Sequence, residues 1–181
     1  MKRIIESGIK IVDRIIGGFP IPSLVSVTVD PLATPELIVY GMCEYYVPNF
    51  KDRSLVEVET NTLGRNLKVL KIDDLKNLRN AKVCVEFCHD FDKVLELRRL
   101  AYDNELVILL VVLKGYYDDR ELAKIHFVSD GVMLIESEKV GDRFVFKFAI
   151  PKMIGGYTIP NYVRFKTERS VLEIDTSRDI V

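Results

Sequence analysis

Cys84, Cys88 and His89 lie close together in the chain and could in principle ligate a metal. Zinc asks for four ligands at recurrent spacings, and this trio matches no common site. Cys84 lies in an apolar stretch and reads as a buried strand residue. His126 falls late in a helical stretch and reads as a packed or solvated imidazole rather than a catalytic base. Neither G-x-S-x-G nor H-E-x-x-H occurs, so the nucleophile elbow and the zincin helix are both missing. Arg65, Lys68, Lys71, Lys76, Arg79 and Lys82 make a locally basic segment, but Asp73-Asp74 interrupts it. It reads as a solvated face rather than a nucleic-acid patch. Tyr40, Tyr45, Tyr46, Tyr116, Tyr117 and Tyr157 supply amphipathic aromatics of the kind enriched at protein interfaces.

The composition sets bounds on these readings. The 181 residues are 48% hydrophobic and 29% charged, which suits a globular core and excludes a wholly disordered chain. The length suits one domain over 1–181. Lys+Arg is 26 and Asp+Glu is 27, for a net charge of −1. That balance argues against a strongly basic nucleic-acid protein. Three cysteines are too few for a disulfide framework, so a reducing cytoplasm is expected. The chain has no Trp and no Gln but is rich in Ile, Val, Lys and Glu, a bias associated with heat-adapted proteins. The N-terminus carries no long apolar targeting stretch. The longest apolar run, over 106–113, is far below the roughly 20 residues that span a bilayer. Its β-branched residues predict a strand buried on both faces.

The elements that must position these residues follow from the same patterning. Ser7 is placed to cap a helix striped by Ile9, Val12, Ile15 and Ile16 and stopped by Gly17-Gly18. Residues 19–23 read as a turn and 24–29 as a strand. Thr34 is placed as a cap and Pro35 at the first helical position, with the helix running to about Val47. Strands are expected over 54–59 and 82–87. Helices are expected from Phe91 to Tyr102 behind Asp90, and from Asp118 in capping-box style. Strands are then expected over 131–136, 143–151, 161–167 and 171–175. Helices alternating with buried strands imply a parallel sheet with right-handed crossovers. The terminal hairpins would extend it in antiparallel fashion.

Three strings carry a resemblance: Ser7-Gly8-Ile9 with Val12-Asp13-Arg14-Ile15-Ile16-Gly17-Gly18-Phe19-Pro20; Ser23-Leu24-Val25-Ser26-Val27-Thr28-Val29-Asp30-Pro31; and Val128-Ser129-Asp130-Gly131-Val132-Met133-Leu134-Ile135. Gly141-Asp142-Arg143 and Pro151-Lys152-Met153 follow the last at similar spacing. In this order, the strings resemble the KaiC-like branch of the RecA-type P-loop ATPases. The resemblance implies an α/β three-layer sandwich with a mostly parallel central sheet and C-terminal antiparallel strands.

The same resemblance puts the phosphate loop, G-x-x-x-x-G-K-[ST], on Val29-Asp30-Pro31-Leu32-Ala33-Thr34-Pro35-Glu36. Its glycines let N–H groups close around phosphate, its lysine reaches the β/γ oxygens and its hydroxyl holds Mg²⁺. Here Val29 and Thr34 stand at the glycines, Pro35 at the lysine and Glu36 at the hydroxyl. Pro31 and Pro35 also remove N–H donors. The family's catalytic acid, at the end of its second strand, would correspond to Glu57 or Glu59, and its metal-orienting acid to Glu86. The basic pair that reaches a neighbouring subunit's nucleotide corresponds to Lys152 and Ile154, so the arginine finger is absent. The connection Lys114-Gly115-Tyr116-Tyr117 is too short for a DNA-holding loop.

The expected function is therefore that of a RecA-like pseudo-ATPase. It would be no enzyme, use no cofactor, and act as a protein-interaction or regulatory module. Partner binding or self-association is expected near Lys152, Ile154 and Tyr157, with Ile159 beside them. Two alternatives are an accessory protein of DNA recombination or repair, binding a RecA-family recombinase or DNA, and a nucleotide-binding enzyme with an unconventional loop.

Overall fold

The computed structural model describes residues 3–33, 35–168 and 171–174. In chain order the elements are β1 (Arg3–Ile5), α1 (Lys10–Ile16), β2 (Phe19–Ile21), β3 (Ser23–Val29), α2 (Pro35–Met42), β4 (Tyr45–Val47), α3 (Arg53–Thr62) and β5 (Lys68–Val69). A 3-10 turn (Ile72–Asn77) leads to β6 (Lys82–Glu86), α4 (Phe91–Asn104), β7 (Val107–Leu113), α5 (Asp119–Val128), β8 (Gly131–Val140), β9 (Arg143–Met153), β10 (Ile159–Glu168) and β11 (Val171–Ile174).

One sheet runs in the order β11-β10-β9-β8-β3-β7-β6-β4-β5. From β5 to β8 every neighbouring pair is parallel; from β8 to β11 every pair is antiparallel. The period-2 alternation of β3 and β7 splits the core in two. Val25, Val27, Val29, Val107, Leu109 and Val111 face a layer with residues of α1 and α2. Leu24, Ile108, Leu110 and Val112 face a layer with residues of α4 and α5. A strand with apolar side chains on both faces needs cover on both, and the helices provide it. Among the described residues no helix is long and apolar enough to cross a membrane.

Local expectations fail where tertiary pairing overrides pattern. Residues 54–59 form most of α3, not a strand. Leu55, Val56 and Val58 mimic a period of 2, but Val56 and Thr60 are the buried residues, a helical spacing. Asp52 caps this helix by accepting from the N–H of Leu55 at 3.0 Å. Helix α2 stops at Met42, and Tyr45–Val47 adds a strand beside β6. Residues 19–21 pair with β1 instead of turning freely. Ser7 does not cap α1; Ile9 stands at that position and Asp13 reaches back to the N–H groups of Ser7 (2.5 Å) and Gly8 (3.1 Å). Cys43 and Cys84 are joined by a disulfide, because the chain folds the end of α2 onto β6; Cys88 is free.

Asp130 joins the layers at the amino end of β8. Its carboxylate accepts from the N–H of Leu24 (2.9 Å), the Arg98 guanidinium (3.0 Å) and the Tyr102 hydroxyl (2.9 Å). Its backbone meets Leu24 and Ile154. A Cβ on the next residue, Gly131, would lie 2.9 Å from the Met153 sulfur and 3.2 Å from Val25, so the end of the Met153 side chain would have to shift. Burial alone would raise the Asp130 pKa, but Arg98, the Leu24 N–H and Tyr102 outweigh it and hold the carboxyl below its ordinary 3.8. That contribution to stability is complete above the ordinary value and is lost as pH falls through the depressed one. Asp130→Ala orphans the Leu24 N–H and should cost about 3 kcal/mol in urea unfolding at neutral pH. It should also flatten the acid limb of the stability profile; an unchanged midpoint would remove Asp130 from this role.

Candidate functional site

In open α/β sheets ligands bind beyond the carboxyl ends of the strands, where the winding reverses. The reversal here falls at β3, which has β7 on one side and β8 on the other. The turn that leaves β3 is residues 30–33, and its donors are already engaged. The N–H of Asp30 donates to the carbonyl of Ile135 (2.8 Å), that of Leu32 to the Asp30 carboxylate (2.9 Å) and that of Ala33 to the Asp30 carbonyl (2.9 Å). Pro31 has none to give. The Asp30 carboxylate also accepts from the Ser137 hydroxyl (2.7 Å) and N–H (3.4 Å), which fastens the turn to β8. Burial opposes ionisation of Asp30, yet Leu32, Ser137 and Lys114 hold its pKa below the ordinary value. Val29 is buried at the end of β3. Pro35 opens α2 and Glu36 follows it in the first turn; Thr34 lies outside the described residues.

Glu86 is the last residue of β6, at the strand end, as expected, and is buried. One carboxylate oxygen accepts from the Tyr46 hydroxyl at 2.6 Å. The other accepts from three successive N–H groups, those of Asn49 (2.8 Å), Phe50 (2.8 Å) and Lys51 (3.3 Å). The Asn49 side-chain amide donates to the Glu86 carbonyl. Thus Glu86 gathers the loop after β4 around itself.

Glu59 lies on α3 and not at a strand end, which corrects its expected position. Tyr40 and Tyr46, edge to face at 4.9 Å, link it to Glu86. The Tyr40 hydroxyl donates to Glu59 at 2.6 Å, and the Lys51 ammonium pairs with Glu59 at 2.8 Å. Burial raises the Glu59 pKa, but Lys51 and Tyr40 more than offset it, so the carboxyl sits below its ordinary value. Burial, with the adjacent carboxylates, pushes both tyrosine hydroxyls far up, so they stay protonated donors. Glu57 is exposed and pairs with Arg53. A cavity of about 80 Å³ remains between Val29, Tyr40, Tyr46, Lys51, Glu86 and Leu113.

The other candidate residues lie at the opposite end of the sheet, where β8 begins and β9 ends. The Lys152 ammonium donates to the carbonyls of His126 (2.9 Å) and Phe127 (3.0 Å), closing the last turn of α5. Ile154 and Tyr157 are exposed, at 51% and 74%, and Phe127 more so at 84%. Ile159 is buried, against the expectation that it faces outward. His126 is hydrogen-bonded to the Thr28 hydroxyl at 2.9 Å. Sequence reasoning missed the roles of Tyr40, Tyr46, Asn49 and Lys51. No spacing rule links them; the one available signal was two tyrosines close to a strand followed by Pro48-Asn49.

No protein-family model matches the chain, and no curated protein matches it in sequence. In structure it is similar to a KaiC-like protein from the hyperthermophilic archaeon Pyrococcus horikoshii OT3, with a TM-score of 0.78 at 14% identity. The match covers 97% of this chain and 100% of that one. The likeness is one of fold: the chain has the KaiC-like, RecA-type α/β architecture, with antiparallel strands added at its C-terminal side.

The Glu86 cluster makes a stability forecast. Glu86→Gln replaces one of two charged acceptors with a donor amide facing other donors. It should cost about 2 kcal/mol and speed amide exchange at residues 49–51 relative to β3. Exchange at those amides indistinguishable from the parent would mean that Glu86 does not hold the loop.

Proposed function

We propose that this chain is a RecA-type pseudo-ATPase that works by binding other proteins. The observation that carries the reading is the spent backbone of residues 30–33. A phosphate cradle needs several free N–H groups converging on one point. Here those of Asp30, Leu32 and Ala33 are committed inside the protein and Pro31 offers none. The residues at the motif's four functional positions, Val29, Thr34, Pro35 and Glu36, support the same reading. Asp30 would add a negative charge where a phosphate should sit. The Tyr40–Glu59–Lys51 cluster commits a nearby cation to a carboxylate.

Calorimetric titration with ATP and Mg²⁺ should show no affinity tighter than about millimolar, roughly −4 kcal/mol, and no phosphate release. Micromolar binding would overturn the reading in favour of a nucleotide enzyme with an unconventional loop.

Exposed Phe127, Ile154 and Tyr157 offer apolar area for a protein contact at the amino end of β8. Ile154→Asp should abolish co-purification of a partner, or concentration-dependent sedimentation, without lowering thermal stability. Retention of both would place the contact elsewhere.

A further inference from the structure

At the carboxyl end of the sheet an aromatic ladder runs from the core to the surface. Phe87 is fully buried and stacks on Tyr117, with ring centroids 5.6 Å apart. Tyr117 is also pinned by its hydroxyl, which donates to the His89 carbonyl at 2.6 Å. Tyr116 packs edge-on to Tyr117 at 4.9 Å, and Phe50 packs edge-on to Tyr116 at 5.2 Å. Phe50 and Tyr116 end the ladder with 40% and 52% of their surface open. Phe50 is held a second way, since its N–H is bound by Glu86. The two open rings are therefore fixed before anything binds, and a ligand laid on them costs little ordering entropy.

Charge at this edge selects the ligand. Aromatic faces carry negative potential and attract cations. Asp90 precedes α4, and Asp119 and Glu121 stand in the first turn of α5; all three are exposed. Among the described residues none of the three has an ion-pair partner. Asp118-Asp119 follow Tyr116-Tyr117 directly in the chain, the Glu121 N–H donates to the Asp118 carboxylate, and Asp90 follows His89, whose carbonyl accepts from Tyr117, so these acids stand beside the ladder. The start of α5 sets Asp118, Asp119 and Glu121 against a single cation, Arg120. Of the nearby lysines, Lys51 pairs with Glu59 and Lys114 with Glu136, while Lys124 lies over the face of Phe91.

We propose that this edge docks an arginine- or lysine-bearing segment of a protein partner, its cation lying on the Phe50–Tyr116 rings with Asp90, Asp119 and Glu121 around it. This deepens the protein-binding reading given above and rests on it. The end of the sheet that would hold a triphosphate in a nucleotide-binding relative of this fold here presents the opposite preference.

The test is calorimetric titration of the full chain with an unlabelled Gly-Ser-spaced peptide carrying four arginines, and with the same peptide carrying glutamates. The arginine peptide should bind saturably at low salt and weaken as salt rises; the glutamate peptide should not bind. Tyr116→Ala should weaken binding about tenfold and Tyr116→Phe should retain it. Asp119→Lys combined with Glu121→Lys should abolish it. Thermal unfolding of each variant checks that the fold is kept. No binding of the arginine peptide, or binding that Tyr116→Ala and the lysine pair leave unchanged, overturns the docking site. ATP is titrated in parallel: micromolar ATP binding defeats the underlying reading, whereas silence from both ATP and the arginine peptide defeats this site alone.

Discussion

A parallel sheet turns all its strand-to-helix loops toward one end, and the N–H groups of those loops must find acceptors. That demand organises this protein. Two of the chain's own carboxylates meet it, Asp30 after β3 and Glu86 at the end of β6. Each accepts from backbone N–H groups in a neighbouring turn, and each also ties that turn to another element, Asp30 to β8 and Glu86 to β4. A charge-assisted hydrogen bond is roughly twice as strong as a neutral one, so these two carboxylates hold their turns firmly.

The consequences reach the surface in steps. With Glu86 holding residues 49–51, Lys51 is delivered to Glu59 and Phe50 to Tyr116. Lys51 is paired with Glu59, and exposed Asp90, Asp119 and Glu121 stand at the starts of α4 and α5.

The opposite end is built on a different carboxylate. Asp130 binds β3 to α4 through Leu24, Arg98 and Tyr102, and its carbonyl orders the chain at Ile154. Lys152 is spent on the last turn of α5, so its charge serves the fold. Phe127, Ile154 and Tyr157 stand exposed there.

Much of this was legible in the residues. Strand β7 announces itself as an unbroken apolar run, because a strand covered on both faces has no polar side to show. The stop at Gly17 follows from its positive φ of 74°. Glu86 could be placed at a strand end by counting. Other features could not be read. Residues 54–59 alternate like a strand, and their helical state depends on Val56 and Thr60 having a core to face. Tyr45–Val47 extends because β6 offers it an open edge, an acceptor row that local pattern does not contain. The Cys43–Cys84 bridge, the Tyr40–Glu59 bond and the Glu86 hold on residues 49–51 join segments that are neighbours only after the crossovers are made. Sequence by itself determined the element types wherever periodicity and turn chemistry agreed. Tertiary structure decided which carboxylate meets which N–H, because a side chain's partners are set by distance in space, and that distance exists only once the sheet is assembled.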